Sequence, residues 1–194
     1  ILVILVVLFA MNANAQWEWT NIGDGGRNAL CFAVSGTNIF MGGANDGILI
    51  STNSGLYWNK VNNGLPNNQW VYSIAISGTN IFAATGIGIF LSTNNGANWN
   101  TSGLSNRSVR SVVVSGTNIF AGTYGGGVFL STNNGTSWTA KNNGLTNQDV
   151  CVLAVSGTTI FAGTQSLGVY RTTNNGLNWT ASGLSGHHVY TFAV

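Results

Sequence analysis

The chain has 194 residues, of which 44% are hydrophobic and only 5% are charged, and its formal net charge is +2. A chain of this length can bury a sizeable core. Because typical domains carry roughly 25% charged residues, solubility here must depend on Asn, Ser, Thr and Gly. The small net charge argues against binding to nucleic acid and against electrostatic docking to a membrane. No phosphate loop is present, and we expect no cofactor.

The first 15 residues have the pattern of a secretory signal. The apolar run ILVILVVLFA is shorter than the about 20 residues that span a membrane. It is followed by Ala13 and Ala15, which form the Ala-x-Ala site that a signal peptidase prefers. A buried first strand is the alternative, although no other segment is apolar on both faces for so long. We therefore predict a signal peptide over 1–15 that lacks its basic start. The mature protein is expected to be secreted or on the cell surface, with no membrane span.

From Trp19 onward the sequence repeats with a period near 40 residues. A Val/Ile-Ser-Gly-Thr-x-Ile-Phe marker begins at Val34, Ile76, Val114 and Val155. Short runs of alternating or β-branched residues separate Gly and Asn turns, and helix signals are absent. This pattern is typical of the four-stranded blades of a β-propeller. We therefore predict an all-β propeller of four-stranded antiparallel blades.

The blade at 108–142 shows the predicted strands, which lie at 109–114, 118–123, 127–131 and 138–141. Its first strand is apolar on both faces, which indicates an inner strand packed between neighbouring blades.

Four complete blades are predicted, and a partial blade is expected at each end of the repeat region. The complete blades lie at about 28–61, 70–102, 108–142 and 149–182. A fourth-strand piece is predicted at 16–21 and the first strand of a next blade at 188–194, within a propeller domain over 16–194. This organisation indicates part of a larger propeller, whose missing blades are partners of this chain.

A Ser/Thr-x-Asn-x-Gly-x-x-Trp box occurs before the last strand of each blade. The Asn side chain is expected to accept a hydrogen bond from the backbone two residues on, and the Gly tolerates a positive φ. The Trp then contributes a large apolar ring where the chain re-enters the sheet. The box residues are Ser51, Asn53, Gly55 and Trp58; Ser92, Asn94, Gly96 and Trp99; Ser131, Asn133, Gly135 and Trp138; and Thr172, Asn174, Gly176 and Trp179.

These boxes resemble the Asp box, or bacterial neuraminidase repeat. Sialidases, xyloglucan-active endoglucanases, sortilin-type receptors and photosystem II assembly factors carry it between the third and fourth strands of a propeller blade. The resemblance implies the fold, but those families do not share an activity. The usual third-position Asp is Asn in all four boxes here, which retains the acceptor oxygen and removes a carboxylate cage for calcium. We expect no metal site.

The two cysteines are expected to be separate buried thiols. Cys31 lies three residues before Val34, whereas Cys151 lies four residues before Val155. The one-residue difference directs the two side chains to opposite strand faces, so a disulfide is not expected.

The candidate binding residues lie on the rim opposite the boxes, which is where sialidase-like families bind their substrates. Seven residues before each marker stands a long polar side chain, and another candidate side chain often follows it by one residue. Such residues are expected to surround the mouth of the central channel, although a solvated loop face is the simpler alternative. The candidates are Arg27, Gln69, Trp70, Arg107, Tyr124, Gln148, Asp149, His187 and His188.

Catalysis finds little support in these residues. Glycosidases usually need two carboxylates roughly 5–10 Å apart, and the only carboxylate side chains are those of Glu18, Asp24, Asp46 and Asp149. Arg27 and Arg107 match two of the sialidase arginines, but no Tyr–Glu pair accompanies them. The remaining arginines, Arg110 and Arg171, are interpreted as caps on strand surfaces. The pair His187–His188 has no evident third metal ligand. No catalytic residue is therefore predicted.

Two functions remain open. The first is a secreted, non-catalytic propeller that binds or scaffolds a glycan or an extracellular protein. The alternative is a fragment of a sialidase-like or other glycoside hydrolase whose catalytic acids lie in the missing blades. The near identity of the blades favours the first, because active sites lengthen particular loops.

Cleavage after Ala15 is the first testable prediction. Mass spectrometry of secreted protein should find Gln16 at the mature N-terminus, because the Ala-x-Ala site ends there. Secreted material that begins upstream of Gln16 would contradict the assignment.

Overall fold

The computed structural model describes residues 28–193. Outside these residues lie the predicted signal peptide over 1–15, the predicted strand piece over 16–21, the candidate residue Arg27 and the terminal Val194. The described part of the chain consists of strands and turns. None of it forms a helix long and apolar enough to cross a membrane.

The strands form four sheets, each of four consecutive antiparallel strands in chain order. The predicted all-β propeller with four-stranded blades is thereby confirmed. Blade 1 contains β1 (Ala29–Ser35), β2 (Asn38–Gly43), β3 (Gly47–Ser51) and β4 (Asn59–Lys60); blade 2 contains β5 (Val71–Ser77), β6 (Asn80–Thr85), β7 (Gly88–Ser92) and β8 (Asn100–Thr101). Blade 3 contains β9 (Val109–Ser115), β10 (Asn118–Thr123), β11 (Gly127–Ser131) and β12 (Thr139–Ala140); blade 4 contains β13 (Val150–Ser156), β14 (Thr159–Thr164), β15 (Val169–Thr172) and β16 (Thr180–Ala181).

The last strand of each blade is shorter than the sequence pattern predicts. In blade 3 only Thr139 and Ala140 pair with β11, whereas a strand over 138–141 is predicted. Trp138 instead turns its ring towards the preceding blade, so it does not continue the ladder.

Residues 188–193 form no strand in the described structure. The Val189 amide donates to the Thr164 carbonyl at 3.1 Å, and Val189 lies against Gly163. Val150 holds the equivalent place against Gly122 of blade 3. Val189 therefore sits where a next inner strand would begin, and the strand over 188–194 remains a prediction.

The hydrophobic core lies between the blades and not within them. Three clusters of buried side chains occur, and each joins two neighbouring blades. Phe40 of blade 1 packs in one cluster with Ile81 of blade 2, and Phe120 of blade 3 packs in another with Leu153 of blade 4. Because both faces of a blade are covered, the second strands are buried along almost their whole length.

The close approach of the blades restricts residue size at the interface. A Cβ atom on Gly122 would lie 2.7 Å from a methyl group of Val150 in the next blade. Real Cβ atoms do not come this close to other atoms, so Gly122 could carry a side chain only if Val150 moved. Blade 2 has the small Ala84, fully buried, at the equivalent position.

Each box closes the turn between the third and fourth strands through its first and third residues. The Ser131 hydroxyl accepts hydrogen bonds from the amides of Asn133 and Gly135, and it donates to the Asn133 side chain. The Asn133 oxygen accepts from the Ser137 amide at 2.9 Å, four residues on. The prediction that the Asn side chain accepts a hydrogen bond from the amide two residues on is therefore wrong. The Ser hydroxyl accepts the bond from two residues on, and the Asn oxygen accepts one from four residues on. Gly135 has a φ of +80°, which glycine adopts without strain.

The Trp that ends a box attaches its blade to the preceding one. In blades 2, 3 and 4 its indole N–H donates to a carbonyl just after the preceding fourth strand: Trp99 to Val61 at 2.7 Å, Trp138 to Ser102 at 2.6 Å, and Trp179 to Lys141 at 2.7 Å. Trp58 of blade 1 donates to Gly55 of its own box at 3.0 Å. The rings of Trp99 and Trp179 are buried.

Two kinds of junction alternate along the chain. In the Asn junction, between blades 1 and 2, the Asn63 amide group donates to the Asn98 side chain; Asn143 and Asn178 repeat this contact between blades 3 and 4. In the Ser junction, between blades 2 and 3, the Ser102 hydroxyl donates to the Gly135 carbonyl at 2.9 Å. Asn and Ser junctions therefore alternate along the chain, although the blades that they join are nearly the same.

The buried indole should be a main contributor to stability. We expect Trp99→Ala to lower the free energy of unfolding by about 3–5 kcal/mol, as buried Trp truncations do. Trp99→Phe keeps most of the ring and leaves the Val61 carbonyl unpaired, so it should cost about 1–3 kcal/mol. Denaturant titration measures both values. The exposed Tyr57 supplies the control, because Tyr57→Ala should change stability by less than about 0.5 kcal/mol; equal effects at the two sites would contradict the role of Trp99.

Candidate binding site

Every inner strand carries a β-bulge near its start. The pairing register shifts by one residue in β1, β5, β9 and β13, at the same place in each blade. A bulge leaves its extra residue unpaired and redirects the side chain, and bulges are frequent beside functional sites. The four bulge residues are Leu30, Tyr72, Arg110 and Cys151.

The bulge residues differ in chemistry although the surrounding strands are nearly identical. The position carries an aliphatic side chain in blade 1, a phenol in blade 2, a guanidinium in blade 3 and a thiol in blade 4. Since a purely structural position in a repeat would be expected to hold similar residues, this ring of positions is the best candidate for ligand-specific chemistry.

Aromatic side chains surround the bulges of blades 2 and 3. The Trp70 and Tyr72 rings have centroids 6.0 Å apart, and the Arg110 guanidinium lies 4.3 Å from the Tyr72 centroid. The same guanidinium lies 5.9 Å from the Tyr124 centroid. We call Trp70, Tyr72, Arg110 and Tyr124 the mouth strip. It crosses from one blade to the next on the rim opposite the boxes.

Two features fix the ends of the mouth strip. The Trp70 indole N–H donates to the Asn45 side chain at 2.7 Å. The Tyr124 amide donates to the Ser108 carbonyl at 2.9 Å. Trp70 and Tyr124 nevertheless keep 43% and 52% of their surface exposed. The Trp70 ring is therefore held in place with an accessible face, and Tyr124 is anchored through its backbone.

A second cluster surrounds the bulge of blade 4. The Cys151 sulfur lies 3.3 Å from His188 Nε2, and the His188 ring stacks on Tyr190 with centroids 3.9 Å apart. Asp149 joins this cluster to the mouth strip, because its carboxylate accepts a hydrogen bond from the Gly125 amide at 2.8 Å. Tyr190 is 77% exposed.

The structure places the described site residues in four groups. Trp70 and Tyr124 belong to the mouth strip, and Asp149 and His188 belong to the neighbouring cluster. Arg107 stacks on Phe129 of the third strand at 5.0 Å, away from the inner strands. The side chains of Gln69, Gln148 and His187 contact neither cluster. Their carbonyls accept hydrogen bonds from amides at or just before the start of the third strands.

Sequence reasoning missed Tyr72, Arg110, Cys151 and Tyr190. Arg110, interpreted from the sequence as a surface cap, is partly buried. Its guanidinium lies 4.3 Å from the Tyr72 centroid and 5.9 Å from the Tyr124 centroid. Cys151 is also more than a small buried hydrophobe, since it contacts His188. Variation at the bulge position within otherwise similar blades is the signal that could have identified Tyr72, Arg110 and Cys151.

The chemistry of the site is restricted to the mouth. Below the bulges, residues 74–76 and 112–114 of the inner strands together with Val155 line an open depression of about 320 Å³. Among residues 28–193 no three His, Cys, Asp or Glu side chains converge on a common point. Asp46 forms an ion pair with Lys60 at 3.1 Å. The described geometry is thus suited to contact a ligand through rings, hydroxyls and one guanidinium.

The two thiols are free and differ in environment. Burial raises the pKa of Cys31 to about 12, although a hydrogen bond with the Gly42 backbone opposes the rise. Burial also raises the pKa of Cys151; the Arg110 guanidinium opposes that rise and the Asp149 carboxylate adds to it. Both are therefore protonated at neutral pH, and Cys31 is the more protected.

Alkylation should distinguish the thiols, because only the thiolate reacts. Native protein treated with iodoacetamide at pH 8 should be modified at Cys151 well before Cys31, and raising the pH to 9.5 should accelerate Cys151 more. Peptide mass spectrometry measures the two rates, with denatured protein as the control in which both react. Equal rates in the native protein would contradict the burial of Cys31.

Comparison with known proteins supports a β-propeller fold. The model of the DUF6242 β-propeller domain family matches residues 24–159, and no curated protein sequence matches the chain. Similar solved structures include an ancestral GH74 enzyme, with 27% identity, a TM-score of 0.66, and coverage of 86% of this chain and 25% of that one.

Two further structures share the fold. They are the extracellular domain of a putative one-component system from B. thetaiotaomicron, with 19% identity, a TM-score of 0.71 and coverage of 88% and 23%, and YCF48 bound to D1 peptide, with 14% identity, a TM-score of 0.63 and coverage of 79% and 54%. The chain spans about a quarter to a half of the length of these proteins. Because the family match covers well over half of its residues and the sheets have the arrangement of blades, the chain belongs to the DUF6242 β-propeller domain family.

Proposed function

We propose that this propeller is a non-catalytic binding module that holds a glycan on the rim opposite the boxes. The observation that carries the proposal is the group of ordered but exposed aromatic rings at the mouth, which comprises Trp70, Tyr124 and Tyr190. Sugar rings present flat C–H faces that pack on aromatic rings, while their hydroxyls bond to nearby polar groups.

The rings are pre-organised for such contacts. Trp70 is held by Asn45 and Tyr72, and Tyr190 stacks on His188 with an interplanar angle of 7°. Because their positions are fixed before binding, little conformational entropy is lost when a ligand covers them. A flexible surface with the same composition would bind more weakly.

The surroundings favour a glycan over a protein partner. A stable protein interface buries about 800 Å² on each partner around an apolar centre. Here polar residues accompany the exposed rings: the Asn45 side chain accepts the Trp70 indole N–H at 2.7 Å, and Gln69 precedes Trp70 in the chain. Amide groups near aromatic rings suit the alternating apolar faces and hydroxyls of a sugar chain.

The boxes and the leader complete the proposal. We assign the four boxes as Asp boxes in which Asn has replaced Asp, with a structural role supported by the repeated Ser and Asn hydrogen bonds. The apolar leader and its Ala-x-Ala site support an extracytoplasmic location. The ligand would then be a glycan of the cell surface or of the surroundings.

A second candidate function is part of a glycoside hydrolase, which is favoured by the 27% identity to a GH74 enzyme. The described carboxylates do not supply its chemistry. Asp46 in blade 1 is paired with Lys60, and Asp149, at the start of blade 4, accepts the Gly125 amide. Catalytic acids would have to come from residues beyond those described.

Glycan binding is tested by an oligosaccharide array followed by calorimetry on the best ligand. We expect Trp70→Ala and Tyr124→Ala each to weaken binding by roughly tenfold, the value of a lost aromatic contact of about 1.5 kcal/mol. Tyr57→Ala, which removes an exposed aromatic ring on the box rim, should leave affinity unchanged. Absence of binding to every saccharide, or equal losses in all three variants, would refute the proposal. Release of reducing ends from the bound glycan would instead support the hydrolase.

A further inference from the structure

Arg110 has an environment that its structural contacts do not explain. It is the bulge residue of β9, its guanidinium lies 4.3 Å from the Tyr72 centroid, and Tyr124 lies on the adjoining loop at 5.9 Å. These ring contacts hold the planar group through its π-electrons and leave its N–H edges free.

None of the five N–H donors of Arg110 has a hydrogen-bond partner among the described residues. The Nε atom is buried without a partner, and the terminal amino groups are not buried. Buried polar groups in folded proteins are almost always paired, so such an exception needs an explanation. A ligand oxygen cannot reach the buried Nε. The two terminal amino groups are accessible and have no partner among the described residues, so they form the edge that can donate hydrogen bonds to a ligand.

The acidic side chain near Arg110 does not pair with its guanidinium. Asp149 is close enough to act on the same Cys151 thiol as Arg110, but its carboxylate accepts the Gly125 amide. The only ion pair among residues 28–193 joins Lys60 and Asp46, on another blade. The positive charge at the mouth is therefore not neutralised by the described protein.

We propose that Arg110 binds a carboxylate and that the glycan held at the mouth strip is an acidic one, built from uronic acids. This inference rests on the proposed function. The guanidinium presents two parallel N–H groups in one plane, which match the two oxygens of a carboxylate. Because the Tyr72 ring covers a face of the guanidinium, the carboxylate approaches along its edge. The sugar ring that carries the carboxylate then lies beside Tyr124.

The arrangement explains why the guanidinium stands among aromatic rings. A carboxylate attached to a sugar ring requires a cation and a flat apolar surface within one residue's length, and the mouth strip supplies both. An aliphatic side chain occupies the same position in blade 1, and a thiol occupies it in blade 4. The acidic unit is therefore recognised at blade 3, and Trp70 contacts a neighbouring unit.

The test compares acidic oligosaccharides with their neutral counterparts. Sodium oligogalacturonate and oligoalginate are titrated beside the same oligosaccharides after carboxyl reduction, which removes the charge and retains the sugar rings. Wild-type protein should bind an acidic form about 10- to 100-fold more tightly, the range expected for hydrogen bonds to a charged group. Arg110→Gln should remove this preference, whereas Arg171→Gln, at an exposed arginine on β15, should retain it.

Arg110→Lys keeps the charge and loses the two-pronged geometry. It should bind the acidic form with intermediate affinity and keep its dependence on salt. Thermal unfolding of each variant establishes that it is folded. If Arg110→Gln does not fold, Arg110→Lys and the comparison of acidic with reduced ligands still decide the question.

Four results would overturn the inference. Equal binding of acidic and reduced forms, with loss in Trp70→Ala, would leave the glycan site intact and remove the carboxylate role. Unchanged affinity in Arg110→Gln would do the same. Dextran sulfate bound as tightly as the uronates would indicate unselective attraction of anions. Binding of poly-glutamate with no saccharide bound would refute both the acidic glycan and the proposed function.

Discussion

The structure depends on the burial of apolar surface between blades. A four-stranded sheet of this size has two apolar faces and no core of its own, so each cluster of buried side chains is shared by two neighbours. The box Trp fastens each interface from the outside, with its ring against one blade and its N–H bonded to the other. Stability is therefore a property of pairs of blades, as in other repeat proteins.

This constraint determines where the chain is free to vary. Residues in the strands and boxes are fixed by contact with two neighbours, and they change little from blade to blade. The bulge position is less constrained because its residue is unpaired in the ladder. Tyr72, Arg110 and Cys151 could therefore diverge without disturbing an interface. The candidate site is the part of the repeat in which symmetry is not required.

Period and turn chemistry were sufficient to predict the fold, and even the exact limits of β10 and β11, since Gly and Asn mark both ends of these strands. The same reasoning could not find Arg110. A regular strand alternates its faces with a period of two, and a bulge interrupts that alternation without any composition signal in a single blade. The partners of the box Trp were also unpredictable, because Trp99 and Val61 lie in different blades and meet only after the blades have packed. Trp70 and Tyr124 could be predicted as candidate binding residues because their position on the rim follows from topology alone.

The alternation of junctions has a consequence for how such a chain can change length. Blade 2 contacts the preceding blade through Asn98 and the following blade through Ser102. Blade 3 contacts the preceding blade through Gly135 and the following blade through Asn143. Duplication of a single blade would bring two unlike surfaces together, and the Asn98 amide would lose its Asn partner. Duplication of two consecutive blades would preserve every contact. A ring that kept this alternation throughout would contain an even number of blades.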